Sequence, residues 1–467
     1  MGAFAGLLKA AGYRVTGSDV AFYPPMGDML KAWGVETLEG YDAAHLASGP
    51  DCVVVGNVCR RDNPEARAAI DGGLAYRSFP KALGELFLAT RRSFVVAGTH
   101  GKTTTTALVS WLLSALGMDP SFLVGGVTRN FDSSFRLGKG GAFVVEGDEY
   151  DSAFFEKIPK FWSYRAQCAI LTSVEHDHID IYPDPASYLD AFRGFVSRLP
   201  PDGLLVAHCD PAVVEIARKA PCKVVYYGLT TDRAPEGVVP SWQAAPIAPS
   251  AGRQPFELFI GGSLAGRYFS PLMGEHNLRN ALAAMALLAE GASLPVAGLT
   301  RALLDFKGVR RRQELRAEGG GVFLYEDFAH HPTAVSETLK AVRHHHGGGR
   351  LIAVFEPRSA TACRNLHQHD YPAAFDAADR VYVTPLGRSN IAEAERLDVD
   401  RVVADINARG DGGARASVLP VGGDALPAAV ATLRAALRPG DTVLVMTNGS
   451  LEALIVALGD TLSKGGA

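Results

Sequence analysis

The chain has 467 residues, 47% of them hydrophobic and 21% charged, with a formal net charge of -4; that length favours two to four domains, and the charge argues against a nucleic-acid binder with a basic face. Its six cysteines (Cys52, Cys59, Cys168, Cys209, Cys222, Cys363) show no C-x-x-C spacing, which excludes an obvious zinc site or disulfide framework and suits a reducing cytoplasm. No apolar run reaches membrane-spanning length and none has a secretory pattern, so a soluble, cytoplasmic protein with small-molecule partners, and neither nucleic acid nor membrane, is expected.

Along the chain, short apolar runs alternate with amphipathic helical stretches, the pattern of α/β domains with largely parallel sheets. Gly2-Ala3 opens a helix over Phe4–Ala11, and a strand at Tyr13–Val15 then leads to Ser18-Asp19. In a dinucleotide-type unit a strand and glycine turn precede such a helix, and a strand ending in an acidic residue follows it. The first unit is therefore expected to be Rossmann-like but lacking its first strand, with the natural start upstream of Met1 or the chain truncated. Further strands are expected at Cys52–Val55, Phe94–Ala97, Phe143–Val145, Ala169–Leu171, Leu351–Phe355, Val381–Val383 and Thr442–Met446. Breaks near Ala89–Arg92 and at the flexible Glu318–Gly321 divide the chain into residues 1–92, 93–317 and 318–467, the second a P-loop ATPase-type domain and the third again Rossmann-like. Between about Thr230 and Gly262 the Pro, Ala and Gly content predicts irregular or short-stranded decoration.

The run Ser93–Ala97 reads as a buried strand, Gly98-Thr99-His100-Gly101-Lys102-Thr103-Thr104 as a glycine loop and Thr105–Leu116 as a helix. Strand, loop and helix N-terminus form a phosphate cradle: backbone N–H groups and the helix dipole attract the anion, Lys102 reaches the β/γ-phosphates and the Thr103 hydroxyl joins a Mg²⁺ shell. ATP and Mg²⁺ are the expected cofactors. Cation ligands come from the ends of neighbouring strands, and two such ends carry them, Glu146-Gly-Asp-Glu149 and Glu175-His-Asp-His-Ile-Asp180. Asn277 and Asn280 lie one helical turn apart and suit an adenine edge, although an N-capping cluster reads equally well. Arg310, Arg311 and Arg312 offer guanidinium to a triphosphate or form a solvated turn.

Taken together these motifs resemble the Mur ligase family, ATP-dependent amide-forming enzymes of bacterial cell-wall peptide assembly and recycling. The resemblance covers nearly the whole chain and rests on Gly98–Thr104, Glu146, Glu175-x-Asp177-His178-x-Asp180, His276-Asn277-x-x-Asn280, Arg312 and Tyr325–Pro332. It implies that Lys102 and Thr103 bind phosphate and magnesium, with Glu146 and His178 as magnesium ligands. Asn277 and Asn280 would hold adenine, Arg312 phosphate and Asp327 the ribose. Ser18, Asp19, Asn57 and His100 would meet the UDP-sugar, and Arg358, Ser359, Arg364 and His330 the acceptor peptide. Ser173 stands where the family usually has Asn.

Several family members carry a carbamylated lysine where this chain has Phe192, which cannot carry one. That departure is shared by the branches acting on UDP-N-acetylmuramate itself, one adding L-alanine and one adding the recycled tripeptide L-alanyl-γ-D-glutamyl-meso-diaminopimelate. Glu149–Phe155, Gly56-Asn57-Val58 and Phe355-Glu-Pro-Arg-Ser359 resemble the tripeptide branch, and the small residues of Arg358-Ser-Ala-Thr-Ala362 leave room for a longer acceptor. The expected reaction runs through an acyl phosphate. A non-catalytic nucleotide or UDP-sugar regulator is the rival class, against which the joint presence of Lys102, Glu146 and His178 speaks.

Overall fold

The computed structural model describes residues 1–23, 26–249, 252–409, 413–449 and 451–464. The chain opens with a helix, Gly2–Ala10, that buries Phe4 and Leu7 and ends at Gly12, whose φ of 90° is a left-handed turn. The strand that follows is Thr16–Asp19, displaced from the expected Tyr13–Val15. Its position is set by parallel pairing with Glu36–Glu39, Thr16 opposite Glu36, and the turn leaves residues 13–15 unpaired. A second parallel pair joins Val53–Val55 to Tyr76–Ser78. Among the described residues no strand bridges these two small sheets. Phe4 stacks edge-on against Phe79 at 5.2 Å and Phe87 at 6.1 Å, so the helix is anchored on the body that follows it.

That body is a ten-stranded sheet with the strand Arg92–Ala97 near its centre, flanked in parallel by Cys168–Leu171 and Ala142–Gly147. Leu171 and Gly147 both align with Ala97, so the three chains leave the sheet side by side at their carboxyl ends, where open α/β sheets bind ligands. Near-continuous apolar runs in these strands fit burial on both faces. Helices Lys102–Ala115 and Glu275–Ala292 cover one face with Leu108, Leu112, Leu282 and Leu287 fully buried. Helix Pro185–Val196 covers the other. The stretch expected as decoration forms Trp242–Pro246 and Gln254–Ile260; Gln254–Ile260 and the strand after it, Ser263–Ser270, add antiparallel to the sheet edge.

The third body is a six-stranded sheet ordered Glu314–Gly319, Val322–Asp327, Thr442–Thr447, Leu351–Glu356, Arg380–Val383, Ala416–Val418. The first strand is antiparallel and the others parallel; the expected limit between residues 317 and 318 falls within that first strand. Among the described residues no helix is long and apolar enough to cross a membrane, and all six cysteines are free thiols.

Candidate functional site

The loop 98–104 turns on two glycines with φ of 134° (Gly98) and 81° (Gly101). A Cβ on Gly101 would stand 2.5 Å from Asn280 Oδ1, and one on Gly98 2.1 Å from Thr172 Oγ1, so both positions require glycine for conformation and for space. The neighbouring strand end stitches the loop in place. Thr99 N donates to Ser173 O (2.8 Å), His100 N to Ser173 Oγ (3.0 Å) and Thr172 Oγ1 to His100 O (2.6 Å). Ser173, the departure from the family pattern, is thus a working part of the loop. The 14-residue helix Lys102–Ala115 starts directly behind it and aims its unpaired N–H groups and positive dipole end at the loop.

Lys102 Nζ lies 2.9 Å from Glu149 Oε2 and donates also to Gly98 O at 2.5 Å. Glu149 has 0% side-chain exposure. Burial works against its charge, but Lys102 and then His178, whose Nε2 is 3.2 Å from Glu149 Oε1, outweigh burial and hold it at about 2. Lys102 is likewise desolvated yet held above its ordinary value, by Glu149, Asp148 and Glu146. Glu146 lacks a cation at hydrogen-bond distance: its oxygens accept from Thr103 Oγ1 (2.8 Å) and Gly125 N (2.8 Å), and burial followed by Asp148 pushes its pKa up. The Thr103 hydroxyl and the Glu146 carboxylate, two hard oxygen donors side by side, suit Mg²⁺. His178, with a left-handed φ of 54°, is engaged by Glu149 rather than by Glu146.

Lys102, Thr103, Glu146 and His178 line a cavity of about 680 Å³, with Glu149 buried behind its wall, and the cavity also takes in Asn57 from the first body and Asp327, His330 and Ser359 from the third. Arg312, half-buried, points Nη2 at Thr103 Oγ1 (3.4 Å) and lies 4.6 Å over the Phe328 ring. Asp327 accepts from Gln313 N and Ala329 N. Asn277 and Asn280 are joined to each other, Asn280 Nδ2 to Asn277 Oδ1 at 3.1 Å, while Asn277 Nδ2 donates to Met273 O and Gln313 Oε1. Two threonines of the third body reach across to the second: Thr333 Oγ1 donates to Glu175 Oε2 (2.8 Å) and Thr361 Oγ1 to Asp177 Oδ1 (2.7 Å). Glu175 also meets His100 Nε2 at 3.1 Å and His331 Nδ1 at 3.5 Å. His330 is held at about 4 by burial, and its carbonyl accepts from Tyr371.

The expected residues divide. Thr99 to Thr104, Glu146, His178, Asn57, Asn277, Asn280, Arg312, Asp327, His330 and Ser359 line the one cavity. Ser18 and Asp19 do not: Ser18 bonds His45, and Asp19 accepts from Val20 N and Tyr41. Arg358 is drawn to Glu356 (3.5 Å), and Arg364 to Glu395 (3.3 Å) and Ala360 O (2.7 Å), both outside the lining. The sequence placed Glu149 in a strand-end acidic run of candidate cation ligands, whereas the fold pairs it with Lys102. Thr333 and Thr361 carry no sequence signal, since their partners lie 158 and 184 residues away.

Family models match three stretches: "Mur ligase family, catalytic domain" over residues 1–91, "Mur ligase middle domain" over 96–288 and "Mur ligase, glutamate ligase domain" over 311–449. The chain is 36% identical over 467 residues to the UDP-N-acetylmuramate:L-alanyl-gamma-D-glutamyl-meso-2,6-diaminoheptandioate ligase of Escherichia coli, covering 99% of this chain and 96% of that one. It is 33% identical over 455 residues to the UDP-N-acetylmuramate:L-alanine ligase of Desulfosudis oleivorans (97% and 93% covered). Among solved structures, the murein peptide ligase of Psychrobacter arcticus is similar with a TM-score of 0.69 at 31% identity, over 98% of this chain and 96% of that one. With three consecutive family models, full-length relatives and a glycine loop, carboxylates and arginine meeting in one cavity, the chain belongs to the Mur ligase family.

Proposed function

We propose that this Mur ligase joins the lactyl carboxylate of UDP-N-acetylmuramate to the amine of the tripeptide L-alanyl-γ-D-glutamyl-meso-diaminopimelate, in cytoplasmic peptidoglycan recycling. The observation that carries the reading is the meeting of Lys102, the Thr103–Glu146 pair and Arg312 around one cavity reached from all three bodies. Residues 1–92, 93–317 and 318–467 serve in it as UDP-sugar, ATP and acceptor domains. Members of the family use ATP with Mg²⁺. Thr103 and Glu146 would hold the ion, which would supply charge neutralisation at the phosphoryl oxygens.

The chain's own groups do the rest by positioning and electrostatics, which dominate phosphoryl transfer. The loop N–H groups and the helix dipole hold the triphosphate, Lys102 leaves Glu149 for the transferring phosphate, and Arg312 meets the same charge from the opposite side chain of Thr103. Asn277 and Asn280 hold adenine, Asp327 the ribose, and His178 the charge that gathers as the acyl phosphate forms. His330, neutral at pH 7, orients the acceptor amine, which displaces the phosphate to give the amide, ADP and phosphate. Contacts from Thr333 and Thr361 close the third body over the site and keep water from the acyl phosphate.

Addition of L-alanine is the second reading, supported by L-alanine ligases to which the chain is similar at lower identity, 33% against 36%. A phosphate-release assay with ATP, UDP-N-acetylmuramate and either acceptor separates the two. Release with the tripeptide and little with L-alanine is expected. Release with L-alanine alone sinks the tripeptide assignment, and none with either acceptor favours a regulator.

A further inference from the structure

The carboxyl ends of four parallel strands of the third sheet face the cavity in spatial order. They are Val322–Asp327, Thr442–Thr447, Leu351–Glu356 and Arg380–Val383. Each contributes a distinct chemistry: Asp327 at the nucleotide end, then Asn448, then the small residues Ser359, Ala360 and Thr361, and last Arg388. Arg388 is exposed at the cavity edge, its Nε donating to Arg358 O at 2.8 Å, and it forms no ion pair among the described residues. The two arginines that follow the adjacent strand Leu351–Glu356, Arg358 and Arg364, are occupied by Glu356 and Glu395. Just past the strand Thr442–Thr447, Asn448 lines the same cavity, and its Oδ1 is buried with no hydrogen-bond partner among the described residues.

We infer that Arg388 is the specificity-determining anchor for a carboxylate at the far end of the acceptor peptide, with Asn448 Oδ1 accepting an N–H on the way. This rests on the tripeptide reading above. Three strand spacings separate Asp327 from the strand that leads to Arg388, about 14 Å at roughly 4.8 Å each. A three-residue acceptor extends about 10 Å at roughly 3.4 Å per residue, before its last side chain is counted, whereas one amino acid reaches about a third as far. The tripeptide therefore spans the row of small residues to the free guanidinium, and L-alanine stops short of it. A planar guanidinium with both Nη groups unpaired by acid offers the two-pronged geometry a carboxylate takes.

The test compares Arg388→Gln and Arg388→Lys with the unmodified protein in the phosphate-release assay, using the tripeptide and a tripeptide whose diaminopimelate carboxylates are amidated. For Arg388→Gln the tripeptide KM rises at least about tenfold with kcat within about threefold, while KM for ATP stays within about twofold, which reports an intact fold. Arg388→Lys recovers part of the loss, because it keeps the charge and loses the fork. The amidated peptide costs the unmodified protein a similar factor and costs Arg388→Gln nothing more. An unchanged tripeptide KM in Arg388→Gln, or an amidated peptide that binds the unmodified protein equally well, overturns the assignment and leaves the tripeptide reading standing. If the unmodified protein turns over L-alanine and not the tripeptide, the reading itself fails and this inference falls with it.

Discussion

Glu149 and Lys102 depend on each other. Glu149 has no solvent exposure, so replacing Lys102 by Met leaves a buried carboxylate with His178 as its remaining cation within ion-pair distance. Breaking such a pair costs about 3–5 kcal/mol, which for a domain of this size lowers Tm by about 10 °C. Turnover is lost at the same time, because among the described residues no other lysine lines the cavity. Adding Glu149→Met to Lys102→Met removes the stranded charge, and calorimetry should then find most of the lost Tm restored in a protein that stays inactive. A double variant no more stable than the single one would show that Glu149 is not stabilised chiefly by Lys102. Lys102 was legible from the glycine loop alone, and the pairing of Glu149 with it was not, because a strand-end carboxylate is a solvated loop residue until the sheet places a lysine beside it.

Strand, loop and helix act as one element in the cradle. Gly101 sits at φ 81° with Asn280 Oδ1 2.5 Å from where a Cβ would be; the substitution Gly101→Ala must strain the turn and push Asn280 away. Equilibrium titration with a fluorescent ATP analogue should show affinity falling at least about a hundredfold, with far-UV circular dichroism unchanged; binding within a few-fold of normal would refute the need for that geometry. On the opposite face of the sheet, helix Pro185–Val196 buries Phe192 against Phe161 (5.5 Å) and Tyr188 (5.2 Å). Tyr188 in turn carries its hydroxyl to Thr99 Oγ1 at 2.9 Å. Phe192 therefore supports the loop through its neighbour. Truncation in Phe192→Ala costs about 3–5 kcal/mol, measurable by urea unfolding. The sequence indicated that Phe192 carries no carbamate, but what it does instead depends on the aromatic stack, whose members come from two separate segments.

Across the whole molecule, closure and acid stability draw on the same interface. Thr333 and Thr361 each donate a hydroxyl across the bodies to Glu175 and Asp177. The double variant Thr333→Val, Thr361→Val removes both hydrogen bonds and leaves the half-buried Glu175 and the buried Asp177 less satisfied. It should lower kcat/KM for the acceptor about tenfold with a smaller change in ATP binding, and an unchanged acceptor kcat/KM would refute the latch. Around it, His276, His330 and His331 are held at about 4, below their ordinary 6.5, chiefly by burial. A folded pKa depressed below the unfolded value means the unfolded chain takes up the proton first as pH falls. The stability that depends on these neutral imidazoles is thus complete above pH 6.5 and is lost as pH falls toward about 4. Three such protons give a steepest slope of about 4 kcal/mol per pH unit. The carboxylates Glu149 and Glu175, held at about 2 against an ordinary 4.5, add their loss only below pH 4.5. Unfolding free energies measured from pH 7 to 4 should already decline above pH 5; a flat profile there would count against buried neutral histidines.

The sequence by itself determined the parts whose chemistry is local. The strand, glycine loop and helix of residues 93–115 were readable because glycine spacing, a buried apolar run and a helix start are short-range signals. The strand ends bearing Glu146 and His178 were readable for the same reason, and so was the α/β class from alternating apolar runs. Tertiary structure decided what depends on pairing across distance. It set the first strand at Thr16–Asp19 through its partner Glu36–Glu39, and it extended the central sheet with Gln254–Ile260, whose composition suggested decoration, and with Ser263–Ser270 beyond it. It also drew Arg358 and Arg364 to nearby acids while leaving Arg388 free at the cavity. An arginine's role follows from which carboxylate lies nearest in space, and for three arginines within about thirty residues only the fold supplies that.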